Sequence, residues 1–126
     1  MSSDGRKYAK THEWIKMEGA LAVIGISDHA QKALGDITFV ELPAIGKVVR
    51  QEQECGVIES VKAASDLYAP AGGTVAEVNG LIADAPETVN QDPYGKGWLI
   101  KLSGVDAGQF NSLMDAQTYD QFIGQE

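Results

Sequence analysis

The residue with the clearest capacity for chemistry is Lys62, which lies in a run of small and polar residues spanning 59–66. Its primary amine stands on a flexible four-carbon stem and can be acylated by a modifying enzyme. Strand-type residues flank the run, with Val57-Ile58 before it and Leu67-Tyr68 after it. The pattern predicts a hairpin with Lys62 near its tip. The simplest alternative is that Lys62 is only a solubilising surface charge. The surrounding sequence is needed to choose between this alternative and a site of acylation.

A short repeat brackets the predicted hairpin. Gly46-Lys47-Val48-Val49 precedes the hairpin and Gly73-Thr74-Val75-Ala76 follows it, in the same Gly-x-Val-x order. We therefore expect two similar half-units to face each other across the hairpin.

The spacing of apolar and turn residues predicts a mainly β domain. It indicates strands over 8–16, 21–26, 37–42, 48–49, 55–59, 66–69, 74–78 and 98–102, with turns at 17–20 and 79–80. A short helix is expected over 28–34, with Ser27 or Asp28 as its N-cap and Gly35 as a left-handed C-cap. A helical turn is expected to begin near Pro86. Helical spacing of apolar residues near the C-terminus predicts two more short amphipathic helices over the β core.

Composition limits the possible functions. Ten basic and eighteen acidic residues give a net charge of −8, which argues against nucleic acid or an anionic membrane as a partner. A chain of 126 residues is expected to form one domain, 1–126, and we expect a monomer. The single cysteine, Cys55, cannot form an internal disulfide and is expected to be a small buried side chain in a reducing compartment.

The start of the chain shows neither a secretory signal nor a convincing transit peptide, since it is short of apolar residues and carries Asp4. A bacterial cytoplasm is expected, with a mature mitochondrial form as the alternative. His12 and His29 have no histidine or cysteine at ligand spacing, so a metal site is not expected.

The lysine run, with the downstream Tyr68-Ala69-Pro70 and Gly73, resembles the lipoylation site of the glycine cleavage system H protein family. The similarity extends along nearly the whole chain. The other matching segments are Lys7-Tyr8, Thr11-His12-Glu13-Trp14, Gly25-Ile26, His29-Ala30-Gln31, Leu34-Gly35-Asp36, Phe39-Val40-Glu41-Leu42-Pro43, Pro93-Tyr94 and Gly97-Trp98. A biotin carrier would have methionine on both sides of the lysine, where this chain has Val61 and Ala63, so lipoate is preferred.

The resemblance implies a barrel-sandwich hybrid of the lipoyl type and a non-catalytic carrier with lipoate attached to Lys62. The reduced arm would accept the aminomethyl group of glycine from glycine decarboxylase, a pyridoxal-phosphate enzyme. It would then pass that group to the folate-dependent aminomethyltransferase and be reoxidised by dihydrolipoamide dehydrogenase. Lipoate-attaching enzymes would be further partners.

The resemblance also implies that Glu59 and Gly73 are presented to the lipoate-attaching enzymes. The structural alternative for Glu59 is a solvated charge at a strand end. For Gly73, the alternative is a backbone turn that needs positive φ, and both interpretations can hold together.

Thr11, Glu13 and Asp66 match a cleft that would pair the ammonium of the loaded arm and limit its contact with water. For Glu13 and Asp66, an ordinary surface charge is an equally good interpretation. Some relatives carry a histidine where this chain has Ala33, which weakens a one-to-one transfer of the cleft.

Two other functions remain open from the sequence. The protein could relay lipoyl groups to other complexes, or it could be an enzyme that uses Lys62 as a Schiff-base nucleophile. The second would need a buried amine with a lowered pKa, whereas the predicted turn is exposed.

Overall fold

The structure is a computed structural model that describes residues 5–125. In chain order, the strands are β1 (Lys7–Tyr8), β2 (Glu13–Glu18), β3 (Leu21–Ile26), β4 (Ile37–Glu41), β5 (Val48–Val49), β6 (Glu54–Ser60), β7 (Ala64–Tyr68), β8 (Gly73–Val78) and β9 (Ile100–Ser103). The helices are α1 (Asp28–Leu34), α2 (Leu81–Asp84), α3 (Thr88–Gln91), α4 (Ala107–Asn111) and α5 (Ala116–Ile123).

The strands form two antiparallel sheets. One has the order β1-β2-β3-β9-β8-β5 and the other has the order β4-β6-β7. Apolar side chains from both sheets meet in a shared core, in which Ile15 and Ile24 of the first sheet and Ile58 and Leu67 of the second are almost completely buried. The prediction of a mainly β sandwich with short helices is confirmed.

The hairpin and the bracketing repeat lie in different sheets. Strands β6 and β7 form the predicted hairpin, with Glu59 opposite Ala64 next to the turn. The two halves of the Gly-x-Val-x repeat pair as β5 and β8, with Val49 opposite Gly73. The expectation that the half-units face each other is therefore confirmed. Their pairing brings together the two ends of the chain segment that contains the β6–β7 hairpin.

The predicted continuous strand over 8–16 is wrong, because the chain reverses between β1 and β2. The reversal brings Lys7 opposite Ile15, and it is closed by a hydrogen bond from the His12 amide to the Ala9 carbonyl at 2.9 Å. His12 adopts a φ of 80°, a conformation that non-glycine residues seldom take. No glycine or proline marks this turn in the sequence, so its residues read as strand.

Helix α1 has the predicted bounds and N-cap. The Ser27 hydroxyl accepts a hydrogen bond from the Ala30 amide at 3.1 Å. Gly35 has positive φ (79°) as expected, but its ψ of −155° is not that of a left-handed helical cap. This extended conformation sends the chain into β4.

The segment after β8 differs from expectation. The Asn79-Gly80 pair does not join two strands, since the Asn79 side chain accepts a hydrogen bond from the Leu81 amide at 3.1 Å and opens α2. The helical turn expected near Pro86 begins at Thr88, where α3 starts. The structure therefore has two short helices where the sequence predicts one turn and one helical segment.

The two C-terminal helices are confirmed. Tyr119 of α5 is buried and stacks on Tyr8 of β1, with 4.4 Å between the ring centroids. Its hydroxyl lies 2.7 Å from both the His12 ring and the Ser27 hydroxyl. This contact places α5 against the turn that carries His12. Within residues 5–125, no helix is long and apolar enough to cross a bilayer.

Candidate functional site

The candidate attachment residue, Lys62, is exposed on the turn between β6 and β7. Ser60 holds the turn together: its amide donates to the Ala63 carbonyl at 2.8 Å. Its hydroxyl also accepts hydrogen bonds from the amides of Lys62 and Ala63, each at 3.2 Å. The backbone at Lys62 is thus held by the residues of the turn itself, while its side chain is exposed to solvent.

A second segment supports this turn from outside. The Val61 amide donates to the Asp36 carbonyl, in the connection between α1 and β4, at 3.0 Å. The Lys62 stem runs across Gly35, where a Cβ atom would lie only 3.1 Å from Lys62 Cε. Glycine at this position therefore leaves room for the lysine stem.

The surroundings of Lys62 are uncrowded. Ala63 and Ala64 are exposed, and Val61 is 68% exposed although it is apolar. Glu59 is exposed on β6, opposite Phe39 of β4, which is also exposed. The end of the hairpin around Lys62 is therefore open to solvent.

Glu13 is not a surface charge, because only 2% of it is exposed. The Thr11 hydroxyl donates to one carboxylate oxygen, and the Tyr68 amide donates to the other at 3.0 Å. Burial raises the pKa of Glu13 from its ordinary 4.5 to about 7, against the lowering effect of these two hydrogen bonds. The carboxyl group is therefore poised to gain or lose its proton near neutral pH.

Thr11 contacts Glu13 directly, whereas Asp66 lies two residues before Tyr68, whose amide binds Glu13. Thr11 and Tyr68 line a cavity of about 450 Å³, whose other walls come from Tyr8, Pro70 and Leu113 among others. Asp66 is exposed on β7, and its charge is the main cause of a raised pKa at the Tyr68 hydroxyl. The structure thus brings Thr11 and Glu13 into contact and leaves Asp66 at the surface nearby. For Asp66, an ordinary surface charge remains a sufficient explanation.

Gly73 lies in the other sheet, where it opens β8. Its φ is not positive, so the predicted need for a positive-φ turn is wrong. A close approach accounts for the glycine instead: a Cβ atom would lie 2.7 Å from the Ser103 carbonyl oxygen and 3.2 Å from Leu102 Cβ. The β8–β9 pair therefore has no room for a side chain at this position.

The other side chains that could in principle react or bind a metal are Cys55, His12 and His29. Cys55 is buried, and burial raises the pKa of its thiol to about 12. The rings of His12 and His29 lie 4.8 Å apart. Between Gly5 and Gln125, no three or more histidine, cysteine, aspartate or glutamate side chains are grouped as a metal site.

Two contributors to the site are not singled out by the sequence. Tyr68 serves through its backbone amide, which any residue except proline would supply. Asn90 of α3 binds the connection that supports the Lys62 turn, and its side-chain amide donates to the Gly35 carbonyl at 2.8 Å. Asn90 lies 55 positions from Gly35 in the chain, so no local pattern indicates this contact.

The family of the chain follows from comparison with known proteins. The family model described as glycine cleavage H-protein matches residues 6–126. The chain belongs to this family. The resemblance read from the Lys62 run is thus confirmed, and with it a place in the glycine cleavage system.

Individual relatives agree over nearly the whole length. The chain is 50% identical to a glycine cleavage system H protein of Symbiobacterium thermophilum, over 92% of this chain and 91% of the relative. It is 49% identical to a Thermus thermophilus protein of the same name, over 96% and 94% of the two chains. A crystal structure of a glycine cleavage system H protein from Mycobacterium marinum superposes with a TM-score of 0.87, at 37% identity, covering 98% of this chain and 99% of the other.

Proposed function

We propose that the protein is a lipoyl carrier that moves the aminomethyl group of glycine between the enzymes of the glycine cleavage system, with lipoate bound to Lys62. The observation that carries the proposal is the exposed Lys62 on a braced turn with small neighbours, in a chain of the H-protein family. An amide at this nitrogen fits the site, because Lys62 is exposed and the two residues after it, Ala63 and Ala64, are small and exposed. When bound, lipoate supplies a flexible arm with two sulfur atoms that can carry a one-carbon unit and undergo disulfide exchange.

The protein's own residues would present and shelter the arm. The Ser60-braced turn fixes the attachment point, so movement is confined to the side chain beyond Cα. Glu59 and Gly73 are proposed as features recognised by the lipoate-attaching enzymes. Glu59 is exposed and lies three residues before Lys62 in the chain. Gly73 would act by allowing the close approach of β8 and β9, since it has no side chain of its own.

Thr11, Glu13 and Asp66 are proposed to receive the loaded arm, which carries a positive charge. A cation beside Glu13 would favour the charged form of a carboxyl group whose pKa is about 7, so the group can pair with cargo and return to its neutral form when the cargo leaves. The proposed partners are glycine decarboxylase, the aminomethyltransferase and dihydrolipoamide dehydrogenase. The protein itself supplies no catalytic group in this scheme.

Mass analysis of peptides from protein produced in lipoate-competent cells tests the attachment. We expect a lipoyl mass increment on the peptide that contains Lys62 and none in the Lys62→Arg variant. An unmodified Lys62 in cells whose other lipoyl proteins are modified would reject the proposal. An increment on another lysine would reject the assignment to Lys62.

Reconstitution tests the role of the modified protein. Lipoylated protein mixed with glycine decarboxylase should support exchange of labelled bicarbonate into glycine, and the Lys62→Arg variant should not. A lipoylated protein that supports no exchange but donates lipoyl groups to other acceptors would instead be a relay carrier. Trapping of Lys62 by borohydride with a carbonyl substrate would indicate a Schiff-base enzyme.

A further inference from the structure

The connection between α1 and β4, Gly35-Asp36, touches the Lys62 turn in two ways. The Asp36 carbonyl accepts the hydrogen bond from the Val61 amide, and Gly35 lies under the lysine stem. Both contacts depend on where this connection lies. Asp36 itself is exposed, so packing of its side chain does not fix the connection.

Asn90 binds this connection on both sides of Asp36. Its Nδ2 donates to the Gly35 carbonyl at 2.8 Å, and its Oδ1 accepts from the Ile37 amide at 2.9 Å. Nδ2 also donates to Oε1 of the buried Gln31 at 3.0 Å, which ties Asn90 to α1. The side-chain amide thus uses both donor hydrogens and its acceptor, and holds the peptide units before and after Asp36 in register.

We propose that Asn90 is a positioning residue for the modification of Lys62: by fixing Gly35 and Ile37 it fixes the Asp36 carbonyl, which in turn anchors the lysine turn through Val61. The chain of contacts runs from α3 through the α1–β4 connection to the hairpin tip. Asn90 does not touch Lys62. The proposal rests on the proposed function in that the reaction affected is acylation of Lys62.

The effect should appear in KM for the carrier rather than in kcat. Without Asn90, the connection and the turn sample other arrangements, and an attaching enzyme binds only the fraction of molecules in which the lysine is correctly presented. Once bound in that arrangement, the amine reacts as before. A role of Asn90 in global stability alone would change neither constant under conditions where the protein stays folded.

Asn79 offers a matched control. Its side chain likewise makes three hydrogen bonds, all of them to backbone: it donates to the Lys96 and Trp98 carbonyls and accepts from the Leu81 amide. It is buried, and none of these partners lies in the Lys62 turn or the α1–β4 connection. Asn79→Ala therefore removes a comparable set of bonds without releasing Asp36.

The first measurement is amide hydrogen exchange at Val61, with the Ile24 amide in β3 as a reporter of global opening. In Asn90→Ala, Val61 should exchange roughly tenfold faster relative to Ile24, as expected from the loss of neutral hydrogen bonds that hold its acceptor. Asn90→Asp keeps the acceptor for Ile37 and replaces the donors, so it should also accelerate Val61. Asn79→Ala should leave the ratio unchanged.

The second measurement is the rate of lipoylation by a purified attaching enzyme at varied carrier concentration. Asn90→Ala should raise KM severalfold with kcat unchanged, while Asn79→Ala should match the wild type in both constants. Equal Val61 exchange and equal KM in the wild type and Asn90→Ala would overturn the proposal. If the wild type is not acylated at all, the proposed function fails, and the Val61 exchange alone decides whether Asn90 positions the turn.

Discussion

Replacement of Glu13 by glutamine should change how the stability of the protein depends on pH. Glutamine has nearly the same shape, its amide oxygen can accept from the Tyr68 amide, and its NH₂ group can donate to the Thr11 hydroxyl. What it lacks is the ability to become charged in a buried place. The variant therefore isolates the cost of ionising Glu13.

The size of the effect follows from the pKa of Glu13 in the folded protein. Burial raises this pKa from 4.5 to about 7, and each pH unit is worth about 1.4 kcal/mol, so full ionisation costs roughly 3 kcal/mol of stability. Below pH 4.5, Glu13 is neutral in both states and there is no cost. Between 4.5 and about 7, the unfolded chain loses the proton and the folded protein keeps it, so the free energy of unfolding falls as pH rises. Above about 7 the cost is complete.

Urea titrations followed by tryptophan fluorescence, at intervals from pH 4.5 to 8.5, measure this dependence. Relative to Glu13→Gln, the wild type should lose roughly 3 kcal/mol across the range, with most of the change below pH 7. Glu18→Gln, which alters an exposed carboxylate on the same strand, should follow the wild type. Parallel profiles for the wild type and Glu13→Gln would refute the argument, since Glu13 would then ionise as easily in the folded protein as in the unfolded chain.

Two further substitutions or modifications test the packing. Gly73→Ala should destabilise the protein by about 1–3 kcal/mol in the same urea titration, because its Cβ would overlap the Ser103 carbonyl. Gly80→Ala is the control, since nothing lies within 4 Å of its Cβ and its φ is −63°, and equal effects of the two changes would contradict the close-packing argument. Cys55, buried and with its pKa raised to about 12, should react with a thiol reagent only slowly in native protein and rapidly in denaturant, as followed by absorbance. Rapid labelling of the native protein would show that the site opens.

The sequence predicts the hairpin with Lys62 at its tip, because strand-forming residues and a short run of small residues are local signals. It also predicts α1, whose cap at Ser27 is encoded in adjacent residues. The break between β1 and β2 is not predictable in this way, since His12 takes a positive φ that its residue type does not suggest. There, the stacking and hydrogen bonding of Tyr119 against the turn come from a helix more than 100 residues later.

Some residues of the candidate site are likewise indicated by the sequence, and others depend on contacts between distant parts of the chain. Residue type and resemblance lead to Lys62 and Glu59 as candidates, and their roles stay predictions. The Glu13 carboxylate is buried and accepts a hydrogen bond from the Tyr68 amide, 55 positions away, so neither its surroundings nor its raised pKa can be seen in the neighbouring residues. For Gly73, the sequence indicates that glycine matters but not why, because the answer is the proximity of β9 rather than a backbone turn. A single sequence does not show which distant residues come into contact across the sheets.

The position of β9 has a consequence for biosynthesis. This strand pairs with β3 on one side and β8 on the other, so the six-stranded sheet lacks its middle until the last strand of the fold has been made. Until then β3 and β8 each expose a row of unpaired backbone groups, which favours association with other chains. The β6–β7 hairpin that carries Lys62 leaves the ribosome before β9, and therefore before the six-stranded sheet can form completely. During synthesis, Lys62 is therefore available to other proteins before the fold is complete. The edges of β3 and β8 stay unpaired until β9 has been made and pairs with both.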